Sequence, residues 1–206
     1  MRPETQFQLD MTSALQLDAN SRIHLGRHQR NAALLSEIIA DVFGFDPQQR
    51  RLIMRGTALH DVGKLCLPSS IVNKPSPLSA DEMEQVRLHT LAGYARLTSF
   101  PPSPQLDLAA EIALEHHERW DGKGYPFGKS GTDISLPVRI ASICDVYSAL
   151  REVRSYKSGL SHEAAMRAIE AGSGSQFDPQ AVNALSVCEL RIGKIIDSRV
   201  QREPSC

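Results

Sequence analysis

The sequence predicts an all-α fold, a compact bundle of many helices, on three observations. Aromatic residues make up only 5% of the 206 residues, and no long alternating run of β-branched residues is present. Apolar residues recur instead at the helical period in one segment after another. These segments are bounded by capping residues, prolines and glycines. A chain of this length can bury one real core.

Residues 1–20 are polar with scattered Phe7, Leu9, Met11, Leu15 and Leu17, and read as a short lead. The domain is expected over 21–200, with a tail at 201–206. Residues 21–43 read as the first helix, with Ile23, Ala32, Leu35, Ile38, Ile39 and Val42 on one stripe and Gly44 placed to end it. Asp46-Pro47 reads as an N-cap followed by proline at the first helical position. The helix they open runs through Leu52, Ile53, Ala58 and Leu59 to His60-Asp61. Residues 66–78, with Pro68, Pro75 and Pro77, form a loop holding one short turn at 69–72. Ser79 to Glu82 is a capping box. It opens one helix carrying Met83, Val86, His89, Leu91, Ala92 and Leu97, stopped by Pro101, Pro102 and Pro104. A helix with Ile112 and Leu114 then leads into His116-His117, followed by a loop broken by Gly122, Gly124, Gly128 and Gly131. Residues 135–150 are the next helix, and 151–160 are basic and polar. Ser161 caps a helix that Gly172 and Gly174 end. Asp178-Pro179 opens a single last helix with Val182, Leu185, Leu190, Ile195 and Ile196.

Composition excludes several classes. The formal net charge is −1 with no long basic run, which argues against a dedicated DNA or RNA binder. The four cysteines, Cys66, Cys144, Cys188 and Cys206, make no C-x-x-C pair. The first three lie in or beside apolar segments and are expected to be buried and reduced. No apolar run approaches the ~20 residues of a membrane span. The first thirty residues lack a signal-peptide core. A cytoplasmic protein is expected.

The chemistry is concentrated in the histidines. Six of the seven fall within the first 117 residues. His24 and His28 are four apart, on one helix face. His60 precedes Asp61, with Lys64 three residues on, and His89 sits inside a helix. His116 and His117 are adjacent at a helix end, so their rings point about 100° apart. That geometry suits two neighbouring metal ions better than one. Asp145 interrupts an apolar helix, where a bare carboxylate needs a metal or a cation. Imidazole with carboxylate, without thiolate spacing, is the ligand set of a hydrolytic Fe, Mn or Zn site. His162, away from these groups, reads as an ordinary surface residue. Arg154 and Lys157 suit phosphate oxygens, or belong to a solvated loop.

H-D-V-G-K at 60–64 and H-H-E-R-W-D-G-K-G-Y-P at 116–126 resemble the two signatures of the HD-GYP family, a subset of the HD phosphohydrolases. The resemblance extends over residues 20–185, supported by H-T-L-A-G at 89–93, R-I-A-S-I-C-D-V-Y at 139–147 and R-S-Y-K at 154–157. It implies an HD-type bundle with a metal centre between its helices. It implies hydrolysis of cyclic di-GMP to pGpG or GMP, with two divalent ions, Fe or Mn, clamping the phosphate. His28, His60, Asp61, His89, His116, His117 and Asp145 would then be metal ligands, with His24 a further candidate. Asp61 and Lys64 would be catalytic, Lys64 lying beside the scissile phosphate. Arg154 and Lys157 would hold substrate phosphates. Gly124, Tyr125 and Pro126 would shape the pocket and serve as a docking loop for GGDEF-domain proteins. Glu118 and Asp121 would brace the turn. The lead is too short for the sensor or receiver domain that often precedes such a domain, so an input signal is expected from elsewhere.

Two departures from the family pattern stand out. His24 occupies the position of a glutamate found in three-metal members, which favours two ions here. Ser148 replaces the second acid of D-x-x-D-A and cannot relay a proton, so turnover is expected to fall without loss of metal. The alternative these departures leave is a weakly active or inactive module that binds the nucleotide or docks a partner. A different substrate, such as a hybrid cyclic dinucleotide, is the third reading.

Overall fold

The computed structural model describes residues 19–152 and 159–200, and the side chains of 26–152 and 159–196. Its helices are α1 (Ala19–Val42), α2 (Pro47–Ala58), α3 (Ser69–Val72), α4 (Ala80–Arg87), α5 (His89–Thr98), α6 (Pro104–Glu115), α7 (Leu136–Arg151), α8 (His162–Ala171), α9 (Pro179–Val187) and α10 (Glu189–Val200). Short 3-10 turns occupy Val62–Cys66 and Gly131–Asp133. Among the described residues β-structure is limited to one isolated bridge, Ser173 to Phe177.

The caps act as the local chemistry requires. Asp46 accepts from the backbone of Gln48 and Gln49, and Gln49 reaches back to the Asp46 N–H at 3.1 Å. Ser79 and Glu82 exchange the same pair of bonds at the start of α4. Gly44 takes φ +79° beyond α1, a conformation that costs glycine little.

One core joins α1, α7, α8, α9 and α10, through Leu35, Ile39, Ile140, Ile143, Ile169, Leu185 and Ile192. A smaller one, with Leu59, Val62, Leu97 and Ala109, holds the end of α2 against α5 and α6. The histidines lie where α1, α2, α5, α6 and α7 meet.

Four expectations are corrected. The helix opened by Ser79 breaks at Leu88, where side chains bond the carbonyls of its last turn. His89 Nδ1 donates to the Val86 carbonyl at 2.6 Å and the Thr90 hydroxyl to that of Arg87 at 3.1 Å. The last helix also divides, at Cys188, whose thiol lies 3.0 Å from the Ala184 carbonyl. Cys66 is exposed, whereas Cys144 and Cys188 are buried free thiols. His162 is half-buried rather than a surface residue, its Nδ1 2.7 Å from the Tyr147 hydroxyl.

Candidate metal centre

Three helix ends build the centre by one device. A carbonyl in the last turn of a helix has a lone pair to spare for a side-chain donor. At the end of α2, His60 Nδ1 lies 2.7 Å from the Thr57 carbonyl. At the α4–α5 break, His89 Nδ1 does the same to Val86. At the end of α6, His116 Nδ1 sits 3.1 Å from the carbonyls of Ile112 and Ala113. A carbonyl can only accept, so each Nδ1 carries the proton. Each Nε2 is thereby turned inward as the ligating atom.

The structure brings His28, His60, Asp61, His89, His116, His117 and Asp145 into one cluster. Among the described residues, the groups His28–His60–Asp145, His60–Asp61–His116 and His89–His116–His117 each place their ligand atoms within 4.8 Å of one another. His28 Nε2 is 2.8 Å from Asp145 Oδ1, and His60 Nε2 is 3.4 Å from the same oxygen. Asp61 stands between the two histidine groups. Its Oδ2 is 3.4 Å from His60 Nε2, and its Oδ1 is 3.5 Å from His89 Nε2 and 3.8 Å from His116 Nε2. Lys64 Nζ donates to Asp61 Oδ2 at 2.5 Å. His24 lies in α1 with its side chain outside the described residues, and Arg154 and Lys157 lie outside them altogether.

Burial opposes charge on His60, His89, His116 and His117. It lowers His89, and together with His117 and His60 it holds His116 well below the ordinary value. It lowers His117 to about 4. At His60 burial acts the same way, but Asp61 and Asp145 outweigh it and raise the pKa to about 10. Burial would raise both carboxylates. Lys64 and His60 overcome it at Asp61, and His28 and His60 at Asp145, so both lie well below the usual range.

The donor set fits a cation. His89 and His116 are neutral imidazoles with Nδ1 occupied, yet their Nε2 atoms face each other at 3.3 Å. Two lone pairs this close, in a buried site, need a positive charge between or beside them. Asp61 Oδ1, which faces both of these Nε2 atoms, is likewise buried without a hydrogen-bond partner.

A pH dependence follows for the metal-free protein. His60 stays doubly protonated up to about pH 10, so a metal at its Nε2 must displace one proton. Mn(II) affinity is expected to rise about tenfold per pH unit between pH 7 and 9. Calorimetry in buffers of different ionisation enthalpy would read the released proton; affinity flat with pH would contradict this.

The H-H-E-R-W-D-G-K-G-Y-P segment folds over this cluster. Glu118 Oε1 accepts from the Phe127 N–H at 2.7 Å, and Asp121 accepts from Lys123 N and Arg119, so both acids brace the turn. Gly124 lets the loop pack tightly on itself. A Cβ there would stand 2.5 Å from the backbone of His117, Glu118 and Arg119. Tyr125 stacks on His117 with ring centroids 4.8 Å apart, and its bond to Pro126 is cis.

Ser148, 3% exposed, donates its hydroxyl to the His28 carbonyl at 3.1 Å. It joins α7 to α1 at the level of the His28–Asp145 contact. Ser148→Asp would set a carboxylate against a carbonyl in that buried space. It is expected to destabilise the fold by about 1–3 kcal/mol without raising activity. Urea unfolding beside a turnover assay checks this; a more active variant of unchanged stability would overturn it.

Sequence reasoning missed the carbonyl anchors. Their signal was present, since His60, His89 and His116 each follow a helical segment whose residue three positions back is Thr57, Val86 or Ala113.

Comparison with known proteins places this geometry. The HD domain family model matches residues 15–181. The chain is 39% identical over 148 residues to the cyclic di-GMP phosphodiesterase response regulator RpfG of Xanthomonas campestris pv. campestris, covering 72% of this chain and 39% of the relative. It is 36% identical over 182 residues to the 3′3′-cGAMP-specific phosphodiesterase 2 of Vibrio cholerae serotype O1, covering 88% and 34%. The chain thus spans less than half the length of these relatives. Bd1817, an HDG"Y"P protein from Bdellovibrio bacteriovorus, shares the fold at a TM-score of 0.62 and 19% identity, over 82% of this chain and 51% of that one.

Proposed function

The chain belongs to the HD-domain family, and from that premise we propose that it is a metal-dependent phosphodiesterase hydrolysing cyclic di-GMP to pGpG, GMP or both. The observation that carries the reading is the pair of neutral histidines, His89 and His116, with Nε2 atoms facing each other at 3.3 Å beside Asp61.

His28, His60 and Asp145 would hold one divalent ion, and His89, His116 and His117 a second, with Asp61 within reach of both groups. Fe and Mn suit this imidazole and carboxylate set. Ions held there would supply Lewis-acid polarisation of the phosphate and a water nucleophile at neutral pH. The chain's own residues do the rest. The carbonyl-pinned rings keep each Nε2 aimed and basic. Lys64, held at Asp61, sets a cation where charge develops on the phosphoryl oxygens. Gly124, Tyr125 and Pro126 wall the pocket beside His117, and Arg154 and Lys157 hold substrate phosphates. The same loop is the docking site for GGDEF-type partners. No helix among the described residues is long and apolar enough to cross a membrane.

One observation favours a second reading, a weakly active nucleotide-binding module. Ser148 stands where the D-x-x-D-A pattern has its second acid, and its hydroxyl is spent on the His28 carbonyl rather than left facing the cluster. Anaerobic purification, metal quantification, and hydrolysis of cyclic di-GMP and 3′3′-cGAMP with Mn or Fe(II) test both. Turnover of cyclic di-GMP with about two ions per chain is the expected result. Nucleotide bound but not cleaved moves the conclusion to the module, and preference for 3′3′-cGAMP changes the substrate.

A further inference from the structure

The guanidinium of Arg87, the last residue of α4, lies over the Tyr125 ring, 5.3 Å from its centroid. That ring stacks on His117 with planes 27° apart, and His117 stands 5.0 Å from His89, centroid to centroid. A cation is thus seated on the rim of the histidine cluster by an aromatic platform.

Its surroundings suit it to an anion from solution. The Arg87 side chain is 47% exposed, whereas the cluster beneath is buried. Glu84 accepts from Nη1 at 2.7 Å, but that carboxylate is 68% exposed, so the pair is weak in water and exchanges easily for a stronger anion. The guanidinium carries five N–H donors in a fork that matches phosphate oxygens. The tyrosine face restrains the group before any ligand arrives, so less side-chain freedom is lost on binding.

We propose that Arg87 binds the second, uncleaved phosphate of the cyclic dinucleotide and so selects that substrate over a simple phosphodiester. The inference rests on the phosphodiesterase reading above. A cyclic dinucleotide holds two phosphodiester anions in one ring. With one at the cluster, the other lies to its side, where a cation must meet it. Lys64 is committed to Asp61 inside the cluster and faces the phosphate that is cleaved. Arg87 stands outside, across Tyr125, and acts in addition to Arg154 and Lys157.

The test compares two substrates on the Mn-loaded protein. For Arg87→Ala, KM for cyclic di-GMP is expected to rise about tenfold with kcat within about twofold, the scale of one charge-assisted pair. KM for bis(4-nitrophenyl) phosphate, which has no second phosphate, stays unchanged. Arg87→Lys keeps the charge but loses the fork and the stacking, and recovers only part of the loss. An unchanged KM for cyclic di-GMP, or an equal rise for both substrates, overturns the assignment while leaving the phosphodiesterase reading intact. A wild-type protein that cleaves the aryl diester but neither binds nor cleaves cyclic di-GMP overturns both.

Discussion

Replacing His60 and Asp61 together by alanine is expected to lower cyclic di-GMP turnover by at least about a thousandfold, the scale lost with a single preorganised active-site group. It is also expected to strip the ions from the chain. Asp61 reaches both histidine groups, at 3.4 Å from His60 and 3.5 Å from His89. His60 is the ring shared between Asp145 and Asp61. Without them, His28 and Asp145 on one side and His89, His116 and His117 on the other no longer share a ligand. The fold should survive, since neither residue belongs to the apolar cores and the loss is one imidazole bond to the Thr57 carbonyl and the Lys64 bond to Asp61, about 1–2 kcal/mol each. Elemental analysis and circular dichroism accompany the assay. Full metal content with native turnover in the double variant would remove this cluster from consideration as the reaction centre.

Gly63→Ala should have the largest effect on folding. A Cβ at 63 would lie 1.9 Å from the His89 carbonyl oxygen and 2.5 Å from the Gly93 nitrogen. Both are backbone atoms of α5, so no side chain can turn aside and the helix itself must shift. The expected cost is about 3 kcal/mol, the upper end for overpacking. The shift moves His89 off its carbonyl and away from His116, so metal content should fall with stability. Gly93→Ala is the control. Its Cβ would meet Ala113 Cβ and Gly63 N at 3.3 Å, a strain that small adjustments relieve. Urea midpoints of the two variants measure the contrast; equal midpoints would mean that the close approach at Gly63 does not constrain the fold.

The helices and their starts were legible because their causes are local. Asp46-Pro47, Ser79 with Glu82, Ser161 and Asp178-Pro179 act within one turn of chain, and each caps the helix expected of it. The breaks at Leu88 and Cys188 were not legible. The apolar pattern continues across both, and at each break a side-chain donor meets a carbonyl three or four residues back. His162 was misread for a similar reason. Its partner, the Tyr147 hydroxyl, sits on α7, and its ring packs against Gly193 of α10.

At the site the division is sharper. By itself the sequence determined the residue types: histidines and aspartates without thiolates, a lysine three residues after Asp61, and two signatures that resemble one family of phosphohydrolases. Short spacings carry that information, because a helix end or turn sets it within a few residues. Only the tertiary structure decided which atoms meet. His28 faces Asp145 across 117 positions, and Ser148 bonds the His28 carbonyl across 120. Arg87, at the end of α4, reaches Tyr125 in the loop that follows α6. Which Nε2 faces which oxygen depends on how α1, α2, α5, α6 and α7 pack, and that is set by the two cores rather than by any spacing along the chain.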